Sequence, residues 1–200
     1  MMERDRSTVG GVVLAAGDSS RFGADNKLLA SVDGAPLVRY VAETACASGL
    51  DAVVAILGHE AEAVGAALDG LPLAKRRNDD YAEGQSTSVR RGVAFARESD
   101  WDAAVFLLGD MPFVSVETVD RVVAAYRTGQ DSIVVPRYDG QRGNPVLFDR
   151  RHFDALAAVS GDRGGRDLIE SGDGVQFVDV DDPGVRRDID TEADLEGDAQ

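Results

Sequence analysis

The stretch Val9-Gly10-Gly11-Val12-Val13-Leu14-Ala15-Ala16-Gly17-Asp18-Ser19-Ser20-Arg21-Phe22-Gly23-Ala24-Asp25-Asn26-Lys27 sets the reading of the whole chain. An apolar run of strand length, residues 9–15, enters a loop rich in glycine and serine that carries two cations, Arg21 and Lys27. Beyond the loop, Leu37, Tyr40, Val41, Thr44, Ala45 and Ser48 recur at helical spacing, and Gly49 follows as a stop. Residues 52–57 read as a second strand, 59–68 as a helix, 73–77 as a short third strand and 86–97 as a further helix. Strands alternating with amphipathic helices are the pattern of repeated βαβ units around a mostly parallel sheet.

The second half continues the alternation. Residues 103–108 form a buried strand that stops at Gly109-Asp110-Met111-Pro112, where proline cannot extend a ladder. Ser115 caps a helix reaching about Tyr126, and 133–136 is another strand. Asp139-Gly140 is a turn signal, and 145–148 reads as a hairpin-type insertion. Helices are expected near 154–159 and 166–170, a strand at 175–180, and a final helix opening at Thr191. The expectation is one α/β domain over residues 1–200, a length ample for a single core.

Acidic residues outnumber basic ones 36 to 21, a formal charge of −15. Such a surface repels polyanions and anionic lipid heads, which argues against nucleic acid and membranes as partners. All the cations except Lys27 and Lys75 are arginines, a bias that either a high-salt cytoplasm or GC-rich coding accounts for. One cysteine, Cys46, excludes an intramolecular disulfide framework, and two histidines cannot build a three-histidine metal centre. The first eight residues lack the apolar core of a signal peptide, and no window approaches the roughly 18 apolar residues of a membrane span. A soluble cytoplasmic protein is expected.

Open α/β sheets bind ligands at the carboxyl ends of their strands, so the loop after the first strand is the first place to look for chemistry. Gly17 and Gly23 let backbone amides turn inward as an anion nest, Ser19 adds a hydroxyl, and Arg21 and Lys27 add charge. A polyphosphate fits such a cradle, although glycine and serine are also ordinary loop punctuation. Neither G-x-x-x-x-G-K-[ST] nor G-x-G-x-x-G is present, which removes the P-loop and the dinucleotide fingerprint.

The motif Leu14-Ala15-Ala16-Gly17-x-Ser19-x-Arg21-x-Gly23-x-x-x-Lys27 resembles the opening of nucleotidyltransferases that join an NTP to a phosphorylated acceptor. Within them it is similar to the molybdenum cofactor nucleotidyltransferases, the MobA-like group, with a Rossmann-like three-layer α/β/α fold. The similarity continues through Gly84-Gln85-Ser86-x-Ser88, Leu108-Gly109-Asp110-Met111-Pro112, Arg142-Gly143-Asn144-Pro145-Val146-Leu147-Phe148, Gly161-Asp162-x-Gly164-x-Arg166 and Asp188-Ile189-Asp190-Thr191. These blocks follow one another along nearly the whole chain. Two departures stand out: the spacer before Lys27 is Ala24-Asp25-Asn26 where the family has two residues, and Asn144 stands where related cytidylyltransferases often carry histidine.

The resemblance implies a nucleotide-binding half over about 9–112 and an acceptor-binding half over about 113–196. It implies that Leu14, Ala15, Ala16, Gly17, Ser19, Arg21, Gly23 and Lys27 hold the triphosphate, with Gly84, Gln85, Ser86 and Ser88 in the nucleotide pocket. Arg142, Gly143, Asn144, Gly161, Asp162, Gly164 and Arg166 would hold the acceptor, and Arg21, Lys27 and Asp110 would act in catalysis. Mg²⁺ needs only one or two carboxylates beside phosphates and water. Asp110 is the first candidate, and Asp188 and Asp190, two apart in an extended segment, point to the same side with Ile189 buried opposite. Either of that pair could touch the metal.

A phosphate monoester acceptor is largely dianionic at neutral pH, so no general base is required, and neither His59 nor His152 is assigned a role. Ala16, where guanylyl-transferring relatives tend to have glycine, favours CTP over GTP. The implied reaction is Mg²⁺-dependent transfer of CMP to molybdenum-bound molybdopterin, with a molybdoenzyme or its maturation factor as partner. GMP transfer, transfer to another phosphorylated small molecule, and a non-catalytic cofactor carrier are the alternatives.

Overall fold

The computed structural model describes residues 7–17, 26–161, 165–191 and 194. In chain order its strands are β1 (Val9–Ala15), β2 (Ser31–Val32), β3 (Ala35–Pro36), β4 (Ala52–Leu57), β5 (Ala74–Arg77), β6 (Ala103–Leu108), β7 (Ile133–Tyr138), β8 (Gln141–Arg142), β9 (Val146–Asp149) and β10 (Val175–Asp179). Its helices are α1 (Leu37–Ala47), α2 (Ala61–Ala67), α3 (Gln85–Glu98), α4 (Val116–Thr128), α5 (Phe153–Ala158) and α6 (Arg166–Glu170). The main sheet runs β10-β7-β9-β6-β1-β4-β5, with β8 paired to β7. Strands β1, β4, β5 and β6 are mutually parallel, as are β7 and β10.

Alternate residues of the central strands feed two cores, which is why those strands read as continuous apolar runs. On one face, Val9, Val13, Val105 and Leu107 pack with Val38, Val41 and Ala45 of α1 and Val119, Val122 and Val123 of α4. On the other, Val12, Val54, Ile56 and Phe106 pack with Val89, Val93 and Ala96 of α3 and Phe153 and Leu156 of α5. The result is the three-layer α/β/α arrangement expected from sequence. No helix among the described residues is long and apolar enough to cross a membrane.

Three local expectations change. The 145–148 segment is not a peripheral insertion. It is β9, the return arm of a hairpin whose outer part is β8, and it lies antiparallel between β6 and β7. Register pairs Arg137 with Arg142 but Ile133 with Phe148, and the Gly143 N–H still donates to the Pro136 carbonyl, so Asn144 and Pro145 bulge out of the ladder between β8 and β9. The second change is that α2 starts at Ala61 and not at His59, because Glu60 adopts a left-handed φ of 47° that no helix can include. Third, the helix expected from Thr191 falls largely outside the described residues.

The end of the described chain is anchored by Asp182. Its carboxylate accepts hydrogen bonds from the Ser115 backbone N–H (3.0 Å), Ser115 Oγ (2.9 Å), Thr118 Oγ1 (2.6 Å) and the Gly184 N–H (2.9 Å). Ser115 in turn caps α4 by accepting from the Thr118 N–H. Burial raises the Asp182 pKa, but the bonds from Thr118, Ser115 and Gly184 outweigh it and hold the carboxyl below its ordinary value. A depressed acid contributes stability that is complete above the unfolded pKa near 3.9 and disappears as pH falls through the lower folded value. Asp182→Asn turns an amide toward donors on one side or the other, and we expect a loss of about 1–3 kcal/mol at pH 7. In urea titrations that deficit should shrink below about pH 4; a constant deficit from pH 7 to pH 3 would contradict this reading.

Candidate active site

Strand β1 is the point where the sheet reverses direction of growth, with β4 added on one side and β6 on the other. The crevice at the carboxyl ends of such strands is where open α/β sheets bind ligands. Here β1 leads into Ala16 and Gly17, and β6 leads into Gly109 and Asp110, tied to β1 by the Gly109 N–H donating to the Leu14 carbonyl at 2.9 Å. A cleft of about 450 Å³ opens there, lined among others by Leu14, Ala16, Gly17, Lys27, Gly84, Gln85, Ser88, Asp110 and Gly161.

Lys27 is the electrostatic centre of this cleft. Its Nζ donates to Asp110 Oδ2 at 2.8 Å and to Asp190 Oδ1 at 3.0 Å. The lysine is set in place by a 3₁₀ turn, Lys27–Leu29, whose N-cap is Asn26: the Asn26 side chain accepts from the Leu28 N–H. Asp190 reaches the same ammonium because the Ile189 N–H donates to the Asp110 carbonyl (2.9 Å) while Ile189 itself is fully buried. Burial lowers the lysine pKa, but Asp110 and Asp190 together overcome that and raise it above the usual lysine value. Lys27 is therefore a firmly charged cation.

The opposite wall is the start of α3. Gly84 precedes it with φ 111° and ψ 171°, a backbone region open to glycine and strained for any residue with a Cβ. The Asn78 side chain, buried at the end of β5, donates to Thr87 Oγ1 (2.8 Å) and Ser88 Oγ (3.0 Å). It also accepts from the Asp80 N–H, so one amide ties β5, the Tyr81–Glu83 turn and α3 together. Gly84, Gln85 and Ser88 consequently present the amino-terminal end of a 14-residue helix to the cleft, a favourable place for an anion.

A second cleft of about 340 Å³ shares Leu14, Gln85 and Leu108 with the first. The segment from β8 into β9 supplies Arg142, Gly143 and Asn144, and α6 supplies Arg166. Gly143 is held against the 3₁₀ turn Pro183–Arg186: a Cβ there would lie 2.3 Å from the Val185 carbonyl oxygen, which also accepts from the Asn144 N–H. Thus the same turn that Asp182 anchors braces the second cleft and leads into Asp190.

Most of the expected site residues converge on these two clefts, with several differences. Ala15 packs in the core, and Ser86 is buried with its N–H bound to the Gly161 carbonyl, so neither lines a cleft. Gly161, expected on the acceptor side, borders the first cleft. Of the carboxylate pair, Asp190 meets Lys27, whereas Asp188 is exposed. Ser19, Arg21, Gly23, Asp162 and Gly164 lie outside the described residues. Sequence reasoning missed Asn26, Asn78, Tyr81 and Glu83; the last two line the first cleft from the Tyr81–Glu83 turn.

Among the described residues no group of three or more His, Cys, Asp or Glu side chains could hold a metal ion. An all-protein cage is thus absent there, but Asp110 and Asp190 share one cation position, as their common contact with Lys27 demonstrates. Two carboxylates suit a divalent ion whose other ligands are phosphates and water.

Comparison with known proteins gives a consistent result. A family model described as MobA-like NTP transferase domain matches residues 11–176. Nicotine blue oxidoreductase of Paenarthrobacter nicotinovorans is 34% identical over 199 residues, covering 96% of this chain and 96% of that protein. Purine catabolism protein PucB of Bacillus subtilis strain 168 is 33% identical over 190 residues, covering 90% of this chain and 91% of that one. The structure of Rv0371c from Mycobacterium tuberculosis H37Rv in complex with manganese aligns with a TM-score of 0.80 at 32% identity, over 96% of this chain and 97% of that one.

The Asn78 bridge gives a direct test of how the wall is built. Asn78→Ala leaves Thr87 and Ser88 without their shared buried donor, and the expected cost is about 1–3 kcal/mol in denaturant unfolding. A change below about 0.5 kcal/mol, the range of an ordinary surface substitution, would show that Asn78 does not organise the α3 terminus.

Proposed function

The chain belongs to the MobA-like NTP transferase family and is a nucleotidyltransferase, and from that premise we propose that it transfers CMP from CTP to the terminal phosphate of molybdenum-bound molybdopterin. Pyrophosphate is the second product. The observation that carries this reading is the pair of adjoining clefts with a common wall at Leu14, Gln85 and Leu108. One has a charged lysine held by Asp110 and Asp190, and a helix amino terminus; the other has two arginines. A nucleoside triphosphate in the first would meet a phosphorylated acceptor in the second at that wall.

In this reading Lys27, Gly17 and the start of α3 neutralise and orient the triphosphate, with Ser19, Arg21 and Gly23 completing the cradle. Arg142 and Arg166 bind the acceptor's anionic groups, for which the planar guanidinium suits two-point contact. The acceptor phosphate is already a nucleophile near neutral pH, its second pKa being about 6. Positioning and charge neutralisation can then carry the reaction without a general base. Asp110 and Asp190 would hold a divalent ion, Mg²⁺ in this proposal, which offsets charge on the α-phosphate oxygens and the departing pyrophosphate. The manganese complex of the Rv0371c structure supports a divalent site in a similar fold. Ala16, on the lining of the first cleft, supports CTP through the branch resemblance. The dinucleotide product implies a molybdoenzyme as recipient.

Pyrophosphate release should be measured with each NTP in turn, with molybdopterin and Mg²⁺ present. CTP should give release; Lys27→Met and Asp110→Asn should each slow it by about 10²- to 10³-fold, the scale of losing one charge-stabilising group. Asp190→Asn should lose at least about tenfold more than Asp188→Asn. Release with GTP alone would overturn the base assignment. Oxidoreductase activity, the class named for one relative, without release from any NTP would overturn transfer itself.

A further inference from the structure

The two arginines of the second cleft are already engaged. Arg142 Nη2 donates to Glu170 Oε1 at 3.3 Å, and Arg166 Nε lies 3.5 Å from the same oxygen. Arg166 and Glu170 stand one turn apart on α6, whereas Arg142 comes from the β7–β8 hairpin. A single carboxylate oxygen therefore gathers guanidinium groups from two separate elements. Beneath them the cleft floor is apolar, formed by Phe106, Val135, Val146, Phe148, Leu156 and Ile169, with the two phenylalanine rings edge to face at 5.9 Å. Among the described residues the charged groups lining this cleft are Arg142 and Arg166. The cleft thus offers an apolar surface beside two guanidinium groups.

We propose that Glu170 is a specificity-determining residue of this cleft: its carboxylate stands in for the anionic group of an apolar-bodied acceptor and sets the threshold that group must exceed. The inference rests on reading the second cleft as the acceptor side. The side chains of Arg142, Glu170 and Arg166 are 36, 49 and 61% exposed, so their ion pairs are weak and cheaply exchanged. A monoanionic carboxylate arriving at the arginines only replaces what Glu170 already provides, and gains little. A dianionic phosphate brings a second charge and a third oxygen and outcompetes it. The cost of displacing Glu170 is the same for either ligand, so only an anionic group that binds the arginines strongly, as a phosphate does, occupies the cleft, and Glu170 keeps both arginines oriented before the acceptor binds.

The test is calorimetric titration of the full chain, without nucleotide, using phenyl phosphate and benzoate as probes at pH 7.5. Wild type should bind phenyl phosphate at least about tenfold more tightly than benzoate, as expected for the extra charge at a paired guanidinium site. Glu170→Gln should tighten phenyl phosphate by about three- to tenfold and benzoate by no more than that, because the repulsion removed is larger for the dianion. In the Arg142→Gln background the same substitution should lose most of that gain. Unchanged thermal midpoints would place the effect in binding, and Glu170→Ala should repeat it. Binding of phenyl phosphate that is unaltered or weakened by Glu170→Gln, a gain that survives Arg142→Gln, or no binding to any form would overturn the proposal. Since no NTP is present, an absence of pyrophosphate release in the transfer assay would count against the transfer reading while leaving this result to stand or fall by itself.

Discussion

A single ammonium group sits between two carboxylates that the chain brings from distant positions, Asp110 and Asp190, 83 and 163 residues from Lys27. Much of the architecture around the first cleft serves this contact. The parallel pairing of β1 with β6 sets the carboxyl end of β6 beside the loop after β1, and the Gly109 N–H fixes that approach at the Leu14 carbonyl. Asp182 holds the Pro183–Arg186 turn to the start of α4, and the chain leaving that turn reaches Asp110 through the Ile189 N–H. Because the raised lysine pKa keeps the ammonium charged, the attraction is complete at neutral pH. It is lost only as pH rises past the ordinary lysine value of about 10.4 toward the raised one.

Several features were legible from sequence because they depend on local pattern. The run at residues 9–15, the helical spacing after Leu37 and the turn at Asp139-Gly140 each identify themselves over a short window. The motif blocks contain Asp110, Lys27 and Arg142, each of which lines one of the two clefts. What escaped depends on partners far along the chain. β9 is four residues long, and nothing within 146–149 says that the return arm of a hairpin will enter the sheet between β6 and β7. Asp188 and Asp190 have the same local pattern, and only the approach of Lys27 separates them. Asn78 is one polar residue after a short strand, and its importance comes from Thr87 and Ser88 being folded over it. Glu170 is one acid among 36 acidic residues, distinguished by two arginines that the fold brings to it.

The chain's charge of −15 is at first sight at odds with anionic substrates. The structure resolves this by separating long-range field from short-range contact. Among the described residues the cations of each cleft are already paired: Lys27 with Asp110 and Asp190, and Arg142 and Arg166 with Glu170. In both places carboxylates hold the cations in position ahead of the ligand. The exposed group of Arg142, Arg166 and Glu170 is screened within about a Debye length, roughly 8 Å at physiological salt. Lys27, with a side chain only 14% exposed, is screened far less. On the proposed reading, a phosphate at either cleft gains affinity by replacing one preset partner with a better one.

That view is tested most directly at Lys27, by the binding of Mn²⁺ to the nucleotide-free protein, followed through the electron paramagnetic resonance signal of the free ion. If the Asp110–Asp190 pair forms one cation position that the lysine ammonium fills, Lys27→Met should bind Mn²⁺ at least about tenfold more tightly than wild type, one unit charge having been removed from a partly buried site. Adding Asp190→Asn to that variant should abolish the gain. Equal Mn²⁺ affinity for wild type and Lys27→Met, or a gain that persists without Asp190, would contradict it.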